Sequence, residues 1–477
     1  MKKQVILYSF ILFHVIVLSQ NQPNILVFIA DDAGMDYGCY GNTVIQTPNI
    51  DSMAARGLLC KNAFLTAPQC SPSRTSMLSG QFAHTIGTED LHTGLDDQTR
   101  ILPSYLSEAG YYTGIMLKGH IGEHGMKQFD WYDEGFWPDY VKGKWFAKAL
   151  HNFQTFLDNA GDKPFFLWMG FVDPHRPYLE DKVEANRATE VHDHANIQVP
   201  PYLADTEPTK KDLAHYYDEI ARMDRQIGEF IGEIEKRNLT ENTLIIFLSD
   251  NGYPFPRGKG TLYDAGIQTP LIFNWPGKIS ENTKYNGLIS TIDLSPTLLD
   301  VAGIEKPAQM VGSSIQPMFY DQSFPGRTYV YAERNWHGTD EYMRCIRTKS
   351  HKLILNEYFH LPHGTPGDLS SSPAWYELRR LLHTNQLSEA QKRLFECPRS
   401  RVEIYNLQND PYELINLADH PDYAESGHKL AVELEKWRKE TNDHPSYLRK
   451  KPDIDDRVSG FRYPKSKLEN VYETNSK

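Results

Sequence analysis

Short, nearly unbroken apolar runs alternate with stretches of helical periodicity over the first two-thirds of the chain. Residues 24–30, Asn-Ile-Leu-Val-Phe-Ile-Ala, carry no polar side chain after the first. Such a run fits a strand buried on both faces. An amphipathic stretch at 102–109 leads into a second apolar segment at 113–117. Residues 164–172 read as a third strand. Apolar positions then recur at helical spacing over 213–238, and 243–248 follow as a fourth strand, with 269–275 as a fifth. Strand and helix alternating at this spacing predict an α/β fold, a mostly parallel central sheet flanked by helices.

The texture changes after about residue 330. Segments 327–332, 342–348 and 352–358 alternate like antiparallel strands, and 426–442 has helical periodicity. This pattern predicts a smaller C-terminal α+β subdomain on an antiparallel sheet. The expected organisation is therefore a catalytic domain over 23–330 and a subdomain over 331–477. Between them in character, 359–400 is a Pro/Gly/Ser-containing loop with a charged helix, and the last thirty or so residues are charged and extended.

Residues 1–22 look like a secretory signal peptide. Met1-Lys2-Lys3 starts it, an apolar run fills 5–18, and a polar exit ends it. The run is short for a membrane span, and no cysteine lies near the cleavage region. The expectation is a secreted or periplasmic protein without a stable membrane anchor. The chain of 477 residues carries a net charge of -12. An acidic protein is a poor partner for nucleic acid, and an anionic substrate would need a local cationic pocket. The five cysteines, Cys39, Cys60, Cys70, Cys345 and Cys397, leave at least one unpaired. Cys345 and Cys397 are a candidate pair.

Four of the predicted strands end in residues able to do chemistry, and open parallel sheets bind ligands at the carboxyl ends of their strands. The first ends in Asp31-Asp32, two carboxylates that repel unless a cation lies between them. The fourth ends in Ser249-Asp250-Asn251-Gly252. Asp31, Asp32, Asp250 and Asn251 make an all-oxygen set that favours calcium, or magnesium, over zinc. The second strand ends in Lys118-Gly119-His120, whose outer two side chains share one side of an extended segment. The third leads to Asp173-Pro174-His175, and Lys259 follows the Asp-Asn pair by a short loop. Read singly, each of these histidines and lysines is as well explained as a structural or solvated group.

The run Cys70-Ser71-Pro72-Ser73-Arg74, with Leu78 and Gly80 beyond it, resembles the signature of the type I sulfatases, which begins C-x-P-S-R. The resemblance extends over 23–443. Residues 249–256, with their Pro-Phe-Pro, and 171–176 are most similar to the heparan N-sulfatase (sulfamidase) branch. Residues 405–418 resemble that family's C-terminal signature. Two features depart from the branch: Lys259 stands where sulfamidases carry Arg, and 264–270 look more like general carbohydrate sulfatases. The family resemblance implies oxidation of Cys70 to formylglycine (3-oxoalanine) by a separate formylglycine-generating enzyme. It implies one calcium held by Asp31, Asp32, Asp250, Asn251 and residue 70. It also implies that Arg74, Lys118 and Lys259 hold the sulfate, that His175 protonates the leaving oxygen, and that His120 deprotonates the hydrated aldehyde to expel sulfate.

The function expected on these grounds is hydrolysis of sulfate esters on a carbohydrate, with oligosaccharides of an algal, ulvan-type polysaccharide in view. The alternatives are a sulfamidase acting on N-sulfoglucosamine, a phosphoryl-transfer enzyme of the same superfamily, and a catalytically dead sugar-binding scaffold. Trp131, Tyr132, Trp137 and Trp145 are read either as sugar-stacking or as packing groups. Segments 89–97 and 360–364 are candidate specificity loops.

Overall fold

The computed structural model describes residues 22–133, 145–178, 192–445 and 456–457. The expected leader, apart from Gln22, lies outside them, as do Trp137 and most of the charged C-terminal stretch. Strand β1 (Asn24–Ala30) is buried along its whole length, because it runs between two parallel neighbours. These are β5 (Phe165–Gly170) on one side and β6 (Thr243–Ser249) on the other. Beyond β5 come β3 (Tyr112–Leu117) and the two-residue β4 (Trp131–Tyr132), also parallel. Beyond β6 come β7 (Gln268–Asn274), β2 (Leu58–Phe64) and β8 (Thr283–Ser290). The eight-stranded sheet is mostly parallel, as the pattern predicts. The exception is β7, which turns back antiparallel to both β6 and β2.

Alternate residues of β1 feed two cores. Leu26, Phe28 and Ala30 pack with Ile50 of helix Pro48–Ala55, Phe153 of helix Trp145–Ala160 and Phe230 of the long helix Glu207–Lys236. Ile25, Val27 and Ile29 face Met77 of helix Cys70–Ser79, Leu106 of helix Leu102–Glu108 and Leu298 of helix Leu294–Val301. Burial of this kind contributes about 25 cal/mol per Å² of apolar surface. Trp145 is inside this core and Trp131 packs on Phe156, which assigns both to packing. Tyr132 stays exposed.

A second sheet, ordered β12-β11-β10-β9, is wholly antiparallel. Its strands are β9 (Val330–Arg334), β10 (Met343–Arg347), β11 (His351–Asn356) and β12 (Val402–Asn406). One face packs on helix Ala424–Glu440 through Ile346, Leu353, Leu434 and Trp437. The other face meets the main body through Ala332, Cys345, Phe64 and Leu262. Within 359–400, helix Pro373–His383 drives Trp375 and Leu378 into the core beside the long helix.

All five cysteines are free, and Cys345 is buried while Cys397 is exposed. The candidate Cys345–Cys397 pair therefore does not form, because Cys345 points into a packed sheet face. No helix among the described residues is long and apolar enough to cross a membrane.

Candidate active site

Register brings the strand ends level. Leu117 of β3 aligns with Gly170 of β5, Gly170 with Ile29 of β1, and Ile29 with Leu248 of β6. Whatever follows these residues is delivered to one edge of the sheet. Asp31 and Asp32 leave β1 there. Asp32 adopts a left-handed φ of 68°, and its amide donates to Asp250 Oδ1 at 3.2 Å. Asn251 Nδ2 donates to Asp32 Oδ1 at 2.6 Å and to Asp250 Oδ1 at 2.7 Å.

Cys70 is the first residue of its helix, and every residue of that helix is buried. Its Sγ lies 3.4 Å from Asp31 Oδ1, 3.9 Å from Asp32 Oδ1, 3.8 Å from Lys118 Nζ and 3.9 Å from Asn251 Nδ2. It packs in one cluster with Trp336 and Leu91. One helical turn on, Arg74 faces the same way and donates Nε to Asp250 Oδ2 at 2.6 Å and Nη1 to the Lys118 carbonyl. Its Nη2 is buried without a hydrogen-bond partner among the described residues. Lys118 pairs with Asp31.

Lys259 Nζ lies between Asp32 Oδ2 at 2.7 Å and Asp368 Oδ2 at 2.6 Å. His175 Nε2 stands 3.7 Å from each of the same two oxygens, and its Nδ1–H donates to the Arg176 carbonyl. The loop carrying His175 is pinned by buried ion pairs to the long helix. Arg222 Nε donates to Asp173 Oδ2 at 2.9 Å, and Arg176 grips Asp212 through two bonds of 2.7 and 2.8 Å. His120 stands beside this cluster and bonds His92 at 2.7 Å between Nε2 and Nδ1.

A family model described as Sulfatase matches residues 23–304, and one described as N-sulphoglucosamine sulphohydrolase, C-terminal, matches 257–398. This chain belongs to the sulfatase family. The sulfatase is 32% identical over 461 residues to the human N-sulphoglucosamine sulphohydrolase, covering 88% of this chain and 90% of that protein. It is 29% identical over 451 residues to an ulvan-active sulfatase of Formosa agariphila (strain DSM 15362 / KCTC 12365 / LMG 23005 / KMM 3901 / M-2Alg 35-1), covering 87% and 74%. Its fold matches the crystal structure of Ps i-CgsB in complex with k-i-k-neocarrahexaose, with a TM-score of 0.67 at 21% identity over 96% and 98% of the two chains. The sulfatase is a sulfuric ester hydrolase.

Electrostatics sharpen the picture. Burial opposes ionisation of Asp31, yet Lys118, His175, Arg74 and Lys259 hold it below the usual carboxylate range. Burial lifts Asp32 well above that range against Lys259, helped by the charges of Asp31, Asp368 and Asp250. Asp250 is raised for the same reasons, against Arg74. Carboxylates so placed suit a cation. Ligand atoms of Asp31, Asp32, Cys70 and His175 lie within 4.8 Å of one another, and Asn251 Oδ1 is buried without a hydrogen-bond partner among the described residues. A divalent cation therefore fits the donors present. Burial also pushes the Cys70 thiol well above its ordinary value against Lys118, and the charges of Asp250 and Asp31 add to the rise. An unmodified thiol there is a poor nucleophile. His175 is lowered to about 4 by burial and then by Lys259 and Lys118. His120 is lowered to about 2 by burial, Lys118, Arg74 and His92.

The catalytic and metal candidates Asp31, Asp32, Cys70, Arg74, Lys118, His120, His175, Asp250, Asn251 and Lys259 all lie at this sheet edge. Sequence reasoning missed Asp368, His92, Trp336 and His337, which is buried with Nδ1 unpartnered. Of the candidate specificity loops, 89–97 delivers His92, and 360–364 ends four residues short of Asp368. A cavity of about 430 Å³ lies elsewhere, lined by Tyr202, Tyr217, Arg257 and Tyr412.

Proposed function

We propose that this sulfatase is an exported, calcium-dependent enzyme that removes sulfate esters from a carbohydrate, using a formylglycine made from Cys70. The observation that carries this reading is the placement of Cys70 Sγ within 4 Å of Asp31, Asp32, Lys118 and Asn251. Ca2+ would be held by Asp31, Asp32, Asp250, Asn251 and residue 70, and would supply charge that acidifies a hydroxyl at residue 70. Residue 70, as a hydrated aldehyde, would supply the hydroxyl that displaces the sugar from sulfur, and His175 delivers the proton with which the sugar oxygen leaves as an alcohol. Arg74, Lys118 and Lys259 balance the charge on the sulfuryl oxygens. His120 would then take the proton of the remaining hydroxyl at residue 70, the loss of which releases sulfate and restores the aldehyde. Its low proton affinity keeps it neutral before that step.

The substrate class we favour is an O-sulfated oligosaccharide of an algal, ulvan-type polysaccharide. The ulvan-active relatives and Lys259 support it. N-sulfoglucosamine is the second reading, favoured by the match to the sulphohydrolase C-terminal model and the human relative. The apolar N-terminal run supports export to the periplasm or beyond, and the start of the second sheet at Val330 supports a subdomain boundary near residue 330.

The test is sulfate release by protein co-produced with a formylglycine-generating enzyme. N-sulfoglucosamine is set against O-sulfated oligosaccharides of ulvan, carrageenan and fucoidan. Release from an O-sulfated oligosaccharide is the expected result. Release from N-sulfoglucosamine alone would replace the first reading by the second, and release from none would sink both.

A further inference from the structure

Asp368 enters the site from a segment that no strand delivers. A tight turn, in which Leu369 and Ser370 amides donate to the Pro366 carbonyl at 3.0 and 3.1 Å, presents its side chain. The turn is anchored from behind, where Arg334 Nη2 donates to the Gly364 carbonyl at 3.1 Å and the Gly364 amide to Glu341 Oε1 at 3.1 Å. It also abuts the lysine loop: a Cβ on Gly260 would lie 2.8 Å from Pro366. One oxygen of Asp368, Oδ2, is committed to Lys259 and faces His175. The other, Oδ1, makes no hydrogen bond or ion pair with the described residues. The Asp368 side chain is 19% exposed, whereas Lys259 is 2% and Asp32 0% exposed. Asp368 is thus the carboxylate of this cluster that reaches the open side, beside the histidine assigned to the leaving oxygen.

We propose that Asp368 is a specificity-determining residue whose Oδ1 accepts a hydrogen bond from a free hydroxyl on the sugar carbon next to the sulfated one. The substrate class is then a sugar unit bearing one sulfate with an unsulfated neighbour. A neighbouring hydroxyl satisfies a partly buried acceptor, while a neighbouring sulfate sets an anion against a carboxylate in a site of low dielectric. Sites built around a substrate hydroxyl reject analogues that lack it more strongly than apolar pockets reject an extra group. This inference rests on the sulfatase reading of the site given above.

The experiment compares matched sugars with the neighbouring position free, deoxy or sulfated, using matured protein, with modification of residue 70 verified by peptide mass. The unsubstituted enzyme should favour the free-hydroxyl sugar over its vicinally disulfated counterpart by at least about 10-fold in kcat/KM. Asp368→Asn should bring that ratio to within about 3-fold, chiefly through KM, and Asp368→Glu should restore part of it. Calorimetric binding of the same sugars to Cys70→Ala and to Cys70→Ala/Asp368→Asn reads the preference without turnover, and should show the same compression. A fall in kcat that is equal for all three sugars, with unchanged binding preference, would mean that Asp368 only holds Lys259 and would overturn the inference alone. No release from any sugar by the unsubstituted matured enzyme would overturn the sulfatase reading as well.

Discussion

Cys70 illustrates how much a single side chain depends on its setting. Its thiol is buried, faces two carboxylates and titrates well above its ordinary value. Nucleophilicity at this position must therefore come from a changed functional group. Cys70→Ala is expected to lower sulfate release by at least about a thousandfold, with a melting temperature close to that of the parent, since the position buries only a small side chain. Comparison of initial rates with melting curves checks both halves, and a variant with near-parental rates would remove formylglycine from the mechanism. The residues legible in the sequence share one property: each follows an apolar run, or begins a recognisable signature, and so announces where it will be. Asp31, Lys118, His175 and Asp250 belong to that group. Asp368 sits between Gly367 and Leu369 in a turn with no run before it, and His92 acquires meaning only through His120. Neither carries a one-dimensional signal.

At the scale of elements, the closeness of β3 to β5 does more than hold the sheet. Gly170 ends β5, its carbonyl accepts the Lys118 amide at 2.8 Å, and a Cβ there would lie 2.2 Å from the Lys118 carbonyl and 2.5 Å from Arg74 Nη1. Neither neighbour is free to give way, because one is backbone and the other is tied to Asp250. Gly170→Ala should displace Lys118 and Arg74 together. The expected cost is about a hundredfold in kcat/KM, the usual consequence of misplacing catalytic groups by about 1 Å. Kinetics on a small aryl sulfate would show it, and parental kinetics would mean that the strands can part without moving the side chains. The apolar runs of β1, β5 and β6 made them legible. Strand β2 hides its character because Lys61 and Asn62 interrupt it at an irregularity in register, and β8 opens Thr-Lys-Tyr-Asn, half of it facing water. The direction of β7 was not legible at all, since an apolar run reads the same in either sense. The connection over 250–267, ending in the helical turn Asp264–Ile267, returns the chain antiparallel beside β6.

At the scale of the molecule, the second sheet is fastened by charges as well as by apolar packing. Glu341 accepts from Arg399 at 3.0 Å and from Arg457. Although burial opposes its ionisation, Arg399, Arg457 and Arg334 lower it from 4.5 to about 2. The stabilisation from such a depressed carboxylate is present above the unfolded value near 4.5 and is lost as pH falls through about 2. It amounts to at most about 3 kcal/mol. Asp36 and Asp224, raised by burial to about 6, act in the opposite sense. They favour the fold below about 4, and that contribution disappears as pH rises through 6. Urea unfolding between pH 5 and pH 3 should therefore fall more steeply for the parent than for Glu341→Gln. Parallel curves would show that the arginines hold Glu341 no better in the folded than in the unfolded chain.

The enclosure of residue 70 also imposes an order of events. Packed with Trp336 and Leu91 at the head of a helix with no exposed residue, residue 70 presents no extended flanking chain for another protein to grasp. Under the proposed maturation, oxidation has to happen while the chain is still open, in competition with collapse of the sheet. A molecule that folds first keeps its cysteine for life. Batches made with too little of the modifying partner would then be fixed mixtures of competent and inert molecules, alike in shape, whose ratio records a race already finished.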